Sequence, residues 1–217
     1  MLVVRHAVVG PFAANSYVAA CSRTGEAVLV DPGGDVDRVL GLLEPGQRVV
    51  RIFVTHGHID HVAGGARAKA ATGAPLQIHG ADQGWLEALP RQAEMFGFEP
   101  VEPPAVDHRH LDGEPFRVGE VAGVVVHTPG HSLGSCCLWF EGEKILFTGD
   151  TLFAGSVGRT DLPGGDLDAL FRSIQEKLFR LGDDVRFYPG HGPAGILGDE
   201  RRANPFVGEA PPRGRFI

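Results

Sequence analysis

The sequence predicts an α+β fold in which β-sheets pack on each other with helices on the outside, and three observations carry that prediction. Short Val- and Ile-rich runs bounded by Gly, Pro and Asp recur along the chain, as buried or half-buried strands do. They fall into two strand-rich halves, each with at least one helical pattern of its own. The chain has 217 residues, 43% hydrophobic and 22% charged, enough to bury a sizeable core as one domain spanning residues 1–217.

In the first half, "YVAAC", "EAVLVD" and "RVVRIFVTH" read as strands, the second ending at the "DPGGD" turn. Between the second and third, Val36, Val39, Leu40 and Leu43 recur at helical spacing and stop at Pro45 and Gly46. "AGGARAKAATG" predicts a helix ending at Gly73, followed by a short strand in "APLQIHG". Over residues 81 to 105, Pro90, Pro100, Pro103 and Pro104 break a weak helical pattern, which predicts a helical excursion and a loop. The second half offers strands in "GEPFRVG", "VAGVVVHTPG", "GSCCLWFEG" and "KILFTGD", with "EGEK" as a hairpin connection. "DLDALFRSIQEKLFRLG" predicts one helix capped by Asp166, with Leu167, Leu170, Phe171, Ile174, Leu178 and Leu181 on its core face and Gly182 at its end. "VRFYPGHG" gives a last strand and turn, and the 26 residues after His191 read as short and Pro-rich.

A formal net charge of −7, with no run of Lys or Arg longer than two, argues against nucleic acid as a partner. The apolar N-terminal stretch is interrupted by Arg5 and His6, and no 18-residue apolar run occurs, so no membrane association and a cytoplasmic location are expected. Cys21, Cys136 and Cys137 show no CxxC spacing and read as small buried strand residues.

The chemistry is concentrated in "VTHGHIDHVAGG", where His56, His58, Asp60 and His61 stand within six positions after an apolar run. Such side chains are costly in a core, and a metal is the economical reason for crowding them. Three further strand ends carry a metal-capable side chain beside glycine: His131 in "HTPGHS", Asp150 in "LFTGD" and His191 in "YPGHG". Seven candidates exceed the needs of one tetrahedral ion, so two divalent ions sharing Asp150 are expected. A tight turn in "HGHIDH" would point His56 and His58 at one ion and Asp60 and His61 at the other. Imidazole and carboxylate donors without thiolates suit Zn first, with Fe and Mn as alternatives. His6, His79, His108, His110 and His127 read as ordinary core or surface histidines.

The ordered motifs "THGHIDH", "TPGHSLGS", "TGDTLF" with "GRTDLPGG", and "YPGHG" with "ERRANPF" resemble those of metallo-β-lactamase-fold hydrolases. Within that superfamily the chain is similar to the glyoxalase II (hydroxyacylglutathione hydrolase) group and its short relatives. The resemblance implies a four-layer αβ/βα sandwich of two mixed sheets with helices outside. It implies one metal held by His56, His58, His131 and Asp150, and a second held by Asp60, His61, Asp150 and His191. It further implies hydrolysis of a small-molecule thioester such as S-lactoylglutathione by a hydroxide generated between the metals, with Asp60 able to orient it. Arg159, just after the bridging Asp150, would anchor a carboxylate of a glutathione-like thiol, unless it pairs with Asp161 to hold the loop. Asp150 in place of a Cys ligand, with "GRTDLPGG", argues against β-lactam hydrolysis.

Two departures stand out. The C-terminal helical region of full-length glyoxalase II is lacking, and its Lys and Tyr contacts are replaced by the "GRTD" form. That form also resembles persulfide dioxygenases, in which His56, His131 and Asp150 would hold one iron; a lactonase or phosphodiesterase of the same fold is a further alternative. A non-catalytic protein stapled by its metals is disfavoured by the lack of cysteine ligands. Exposed apolar surface would serve a homodimer.

Overall fold

The computed structural model describes residues 1–209. Two six-stranded sheets form the centre of the chain. The first runs in chain order through β1 (Leu2–Val9), β2 (Ala14–Cys21), β3 (Glu26–Val30), β4 (Arg48–Phe53), β5 (Leu76–His79) and β6 (His108–His110). It is mixed, antiparallel from β1 to β3 and parallel from β3 to β6. The second half supplies β7 (Pro115–Val118), β8 (Val121–His127), β9 (Cys136–Phe140), β10 (Ile145–Gly149), a small hairpin of β11 (Leu152–Phe153) and β12 (Ser156–Val157), β13 (Arg186–Pro189) and β14 (Gly195–Ile196). Its sheet order is β14-β13-β10-β9-β8-β7, with β10 and β13 the parallel pair.

Side-chain alternation along each strand builds the layers. Tyr17, Ala19, Val28, Val30 and Phe53 on the inner face of the first sheet meet Phe116, Val125, Leu138, Phe140 and Phe147 of the second. The opposite face of the first sheet, with Val18, Leu29 and Ile52, packs under helices α1 (Val36–Leu40), α2 (Ile59–Val62), α3 (Gly65–Thr72), α4 (Gln83–Glu87) and α5 (Leu89–Met95). The outer face of the second sheet, with Trp139, Leu146 and Phe187, packs under α6 (Leu167–Arg172) and α7 (Leu197–Ala203). This is the four-layer αβ/βα sandwich. Strands buried on both faces lose the polar alternation of a half-exposed sheet, which is why β9 and the Tyr17–Cys21 part of β2 read as continuous apolar runs. Cys136 and Cys137 point to opposite faces of β9, and all three cysteines are buried and free.

Several elements differ from the sequence reading. The helix expected after Asp166 begins as predicted, with the Asp166 carboxylate accepting from Ala169 N at 2.8 Å. It then widens into a π turn over Ser173–Lys177 and tightens into a 3-10 turn over Leu178–Arg180. Polar anchors accompany the change: Ser173 Oγ donates to Pro129 O, and Lys177 Nζ reaches both Asp112 and the His127 carbonyl. Leu167 is left exposed while Leu170, Ile174 and Leu178 are fully buried, so the stripe lacks its first member. The helix carrying Val36 ends at Leu40, with Leu42 and Leu43 in the turns that follow. The N-terminal apolar stretch is strand β1, and the segment after His191 contains β14 and α7. β6, "HRH", has no apolar residue to announce it. Among the described residues, no helix is long and apolar enough to cross a membrane.

Candidate metal centre

The seven side chains singled out in the sequence converge at one end of the sandwich, on the segments that follow β4, β8, β10 and β13. His56 and His58 lie on the loop after β4, and Asp60 and His61 on the first turn of α2, whose start is held by Gln92 Oε1 accepting from Ile59 N. The loop after β13 is tied across the sheets. Asn15 Nδ2 donates to the carbonyls of Pro189 and Gly192, Tyr17 Oη to Pro189 O at 2.6 Å, and Gly190 N to Gly149 O. Gly190 is required by space: a Cβ there would stand 2.0 Å from Asp150 Oδ1 and 2.6 Å from His61 Cε1.

The donor atoms form three overlapping groups, each within 4.8 Å: His56, His58 and His131; His56, His61 and Asp150; Asp60, His61 and His191. Nε2 of His56 faces Nε2 of His131 at 3.1 Å, and Nε2 of His61 faces that of His191 at 3.4 Å. Asp150 stands between the two pairs, with Oδ1 3.3 Å from His61 Nε2, and Oδ2 3.7 Å from His131 Nε2 and 3.6 Å from His191 Nε2. Asp60 Oδ2 approaches His191 Nε2 at 3.1 Å and His61 Nε2 at 3.5 Å.

Four lines of structure fit this set to divalent cations. First, nitrogens crowd against nitrogens, while the buried His58 Nε2 and Asp150 Oδ1 have no hydrogen-bond partner. Second, the far side of three rings is fixed. His131 Nδ1 donates to Arg159 O at 2.8 Å, His61 Nδ1 to Asp31 Oδ2 at 2.9 Å, and His56 Nδ1 to Thr55 Oγ1 at 3.0 Å, whose own proton goes to Asp31 Oδ2. Each Nε2 is thereby turned toward the centre. Third, burial first, and then the neighbouring histidines, push His56 far below the usual imidazole range and His58 to about 3, so both rings present lone pairs. Fourth, burial would lower His61, but Asp150, Asp60 and Asp31 outweigh it and raise it to about 10. Burial would likewise raise Asp60, yet His61 and His191 hold it well below the carboxylate range. The carboxylates thus call for positive charge at His61, which a proton supplies in the metal-free chain and a cation can replace.

Sequence reasoning missed the carboxylates behind this shell. Asp31, 2% exposed and with φ of 51°, accepts from Thr55 N and Thr55 Oγ1 at 2.7 Å and from His61. It ends the run "EAVLVD" as Asp150 ends "LFTGD", but its neighbour is Pro32 and not a glycine, so the pattern that finds Asp150 passes over it. Asp82, fully buried, accepts from Gly57 N, Ser132 Oγ and Gly134 N and so joins the two histidine loops. Nothing in "HGADQ" signals that role. Glu200 and Asn204, from "ERRANPF", clamp the β11–β12 turn through Gly155 N and Ser156 O. Arg159 and Asp161 are both exposed and form a bidentate ion pair at 2.7 Å, the loop-holding arrangement. Of the other histidines, His79 stacks on His127, His6 lies beside Tyr17, His108 pairs with Glu114, and His110 is buried against Phe53.

The centre forms the floor of an open cavity of about 1020 Å³. Among the described lining residues there is no Ser, Thr, Cys, Lys or Tyr, so the chain offers no conventional side-chain nucleophile of its own there.

Comparison with known proteins matches these features. The model of the metallo-beta-lactamase superfamily matches residues 9–191. The hydroxyacylglutathione hydrolase GloC of Haemophilus influenzae is 36% identical over 186 residues, covering 83% of this chain and 87% of that protein. Among solved structures, BLEG-1 B3 metallo-beta-lactamase superposes with a TM-score of 0.87 at 33% identity, covering 94% of this chain and 99% of the other. TTHA1623 in a di-iron-bound form superposes with a TM-score of 0.83 at 35% identity, covering 93% and 99%. Fold, converging donors and family match agree: the chain belongs to the metallo-beta-lactamase superfamily and has the histidine and aspartate clusters of a metal-dependent hydrolase.

Proposed function

We propose that the protein is a two-metal thioester hydrolase, with His56, His58, His131 and Asp150 holding one divalent cation and Asp60, His61, Asp150 and His191 the other. The observation that carries this reading is the position of Asp150, whose two carboxylate oxygens face the two histidine groups. Bound cations of this kind activate a water as nucleophile and polarise a substrate carbonyl. The remaining contributions come from the chain. Asp60, held ionised, accepts a hydrogen bond from the attacking water and orients it. The His131–Arg159 carbonyl bond ties the Arg159 loop, which lines the cavity, to one of the ligand rings.

The leaving group follows from what lines the cavity. With the cavity's histidines and aspartates given to the cations, and no Lys, Tyr or Cys there to protonate a poor leaving group, an ester whose thiolate departs unaided suits the site better than an amide. The similarity to GloC points to the same class. A single-iron dioxygenase built on His56, His131 and Asp150 would use Asp60, His61 and His191 only as partners behind its ligands, although their own donor atoms gather within 4.8 Å.

Metal content per chain, paired with S-lactoylglutathione turnover followed at the thioester absorbance, tests the proposal. Near two ions with turnover supports it. Near one iron, with oxygen consumed on glutathione persulfide and no thioester loss, overturns it. A chromogenic β-lactam belongs in the same assay because of the resemblance to BLEG-1; β-lactam turnover without thioester turnover would also overturn it.

A further inference from the structure

We infer that this cavity selects thioesters carrying an extended, uncharged apolar acyl group, a refinement that rests on the thioesterase reading above. Large apolar side chains line the cavity together with the metal-ligand cluster: Phe12, Trp85, Met95 and Phe96, and also Leu133 and Leu162. Met95, Phe96 and Leu133 are 73%, 50% and 57% exposed, an unusual use of large apolar residues unless something covers them. Phe12 stacks edge-on against Phe96 at 4.8 Å and Phe98 at 5.6 Å, so the wall is a built aromatic cluster and not scattered exposure. Trp85 meets His58 edge-on at 4.5 Å, which makes the apolar wall continuous with the metal-ligand cluster.

The cavity is poor in the charge that a peptide thiol with two carboxylates would need. Arg91 and Arg159 are the Lys or Arg side chains among its described lining residues, and Arg159 already spends its Nε and one Nη2 donor on the Asp161 carboxylate. A volume of about 1020 Å³ holds a medium-length acyl chain together with its thiol. An acyl chain laid from the metal floor along Trp85 to Phe96 and Met95 would cover the exposed wall, and each methylene so buried is worth roughly fourfold in binding.

The test uses the metal-loaded full chain and thioesters of one neutral thiol, N-acetylcysteamine. The octanoyl thioester is expected to exceed the acetyl thioester at least about 100-fold in kcat/KM, and S-lactoylglutathione at least about tenfold. Phe96→Ala should lower the octanoyl-to-acetyl ratio about tenfold, while Leu167→Ala, an exposed apolar residue outside the cavity, should leave the ratio as it was. Equal kcat/KM across chain lengths, or preference for S-lactoylglutathione, overturns the inference and leaves the hydrolase reading standing. A second readout is independent of turnover: the non-hydrolysable thioether S-octyl-N-acetylcysteamine should change the fluorescence of Trp85, with buried Trp139 as a constant background and Trp85→Phe as the control. A response to the thioether with no thioester hydrolysed removes the hydrolase reading and keeps the apolar selectivity. No response overturns the selectivity.

Discussion

Replacing Asp31 with Asn tests whether the residues behind the metal ligands set the site. Asp31, buried, accepts three hydrogen bonds: Thr55 N on Oδ1, and Thr55 Oγ1 and His61 Nδ1 on Oδ2. An amide has one acceptor oxygen and one NH2, so either orientation sets a donor against a donor. If the oxygen stays with Thr55 N, the NH2 faces His61 Nδ1–H; the ring relieves this by moving its proton to Nε2, the atom that faces Asp150 and His191. If the amide turns over, Thr55 N is left facing NH2 at the start of the histidine loop. Both cost about 1–3 kcal/mol for a buried unsatisfied donor. Loss of an outer partner of a ligating histidine typically weakens metal binding 10–100-fold, or about 1.4–2.7 kcal/mol. Competition against a chromophoric chelator should show the ion at Asp60, His61 and His191 weakened by that factor. Binding at His58 and His131, which Asp31 does not touch, should change less. Two ions held with unchanged affinities would refute the argument that Asp31 sets the His61 tautomer.

Three further outcomes are expected. Asp150→Ala should remove both ions, because the carboxylate faces both groups; two ions by elemental analysis would contradict a shared ligand. Asp161→Ala should free the Arg159 guanidinium and lower KM for thioesters of acidic thiols more than for neutral ones, and equal effects would deny Arg159 a substrate contact. Burial, with His108 adding to it and Glu114 opposing it, pushes His110 down to about 4 from an ordinary 6.5. The unfolded chain therefore takes up the proton first, and stability present above pH 6.5 is lost as pH falls toward 4. That gap of about 2.5 pH units is worth about 3 kcal/mol when complete, of which roughly 1.4 kcal/mol is gone at pH 5.5. In His110→Phe, whose ring can lie against Phe53 and Phe116, urea unfolding at pH 7.5 and 5.5 should lack that share; an unchanged difference would show that His110 does not set it.

The parts of the fold legible in the sequence are those where one local rule operates alone. Strands β2 to β5 and β7 to β10 announce themselves because apolar runs of strand length end in Gly, Pro or Asp. Strand β6 does not, since His108, Arg109 and His110 owe their conformation to pairing with Gln77, Ile78 and His79 on β5. The π turn at Ser173–Lys177 is equally silent: Asp112 and the His127 carbonyl, which draw Lys177, are about 50 residues or more away in the chain. Local periodicity describes a helix well until a long-range polar anchor competes with it.

The same distinction divides the site. His56, His58, Asp60 and His61 are visible because four donors in one turn have no cheaper explanation than a cation, and His131, Asp150 and His191 because each ends a strand beside glycine. Asp82 is invisible because its work lies wholly in three dimensions. It is 25 residues from Gly57, 50 from Ser132 and 52 from Gly134, yet its carboxylate binds all three and holds the loop of His56 and His58 against the loop of His131. A buried carboxylate satisfied by two N–H groups and a hydroxyl is a joint between two halves that each supply ligands, and such a joint has no sequence signature of its own. Geometry at the metal centre therefore depends on Asp31, Asp82 and Gly190 as directly as on the seven donors: the first orients His61, the second registers the loops, and the third leaves the space that Asp150 occupies.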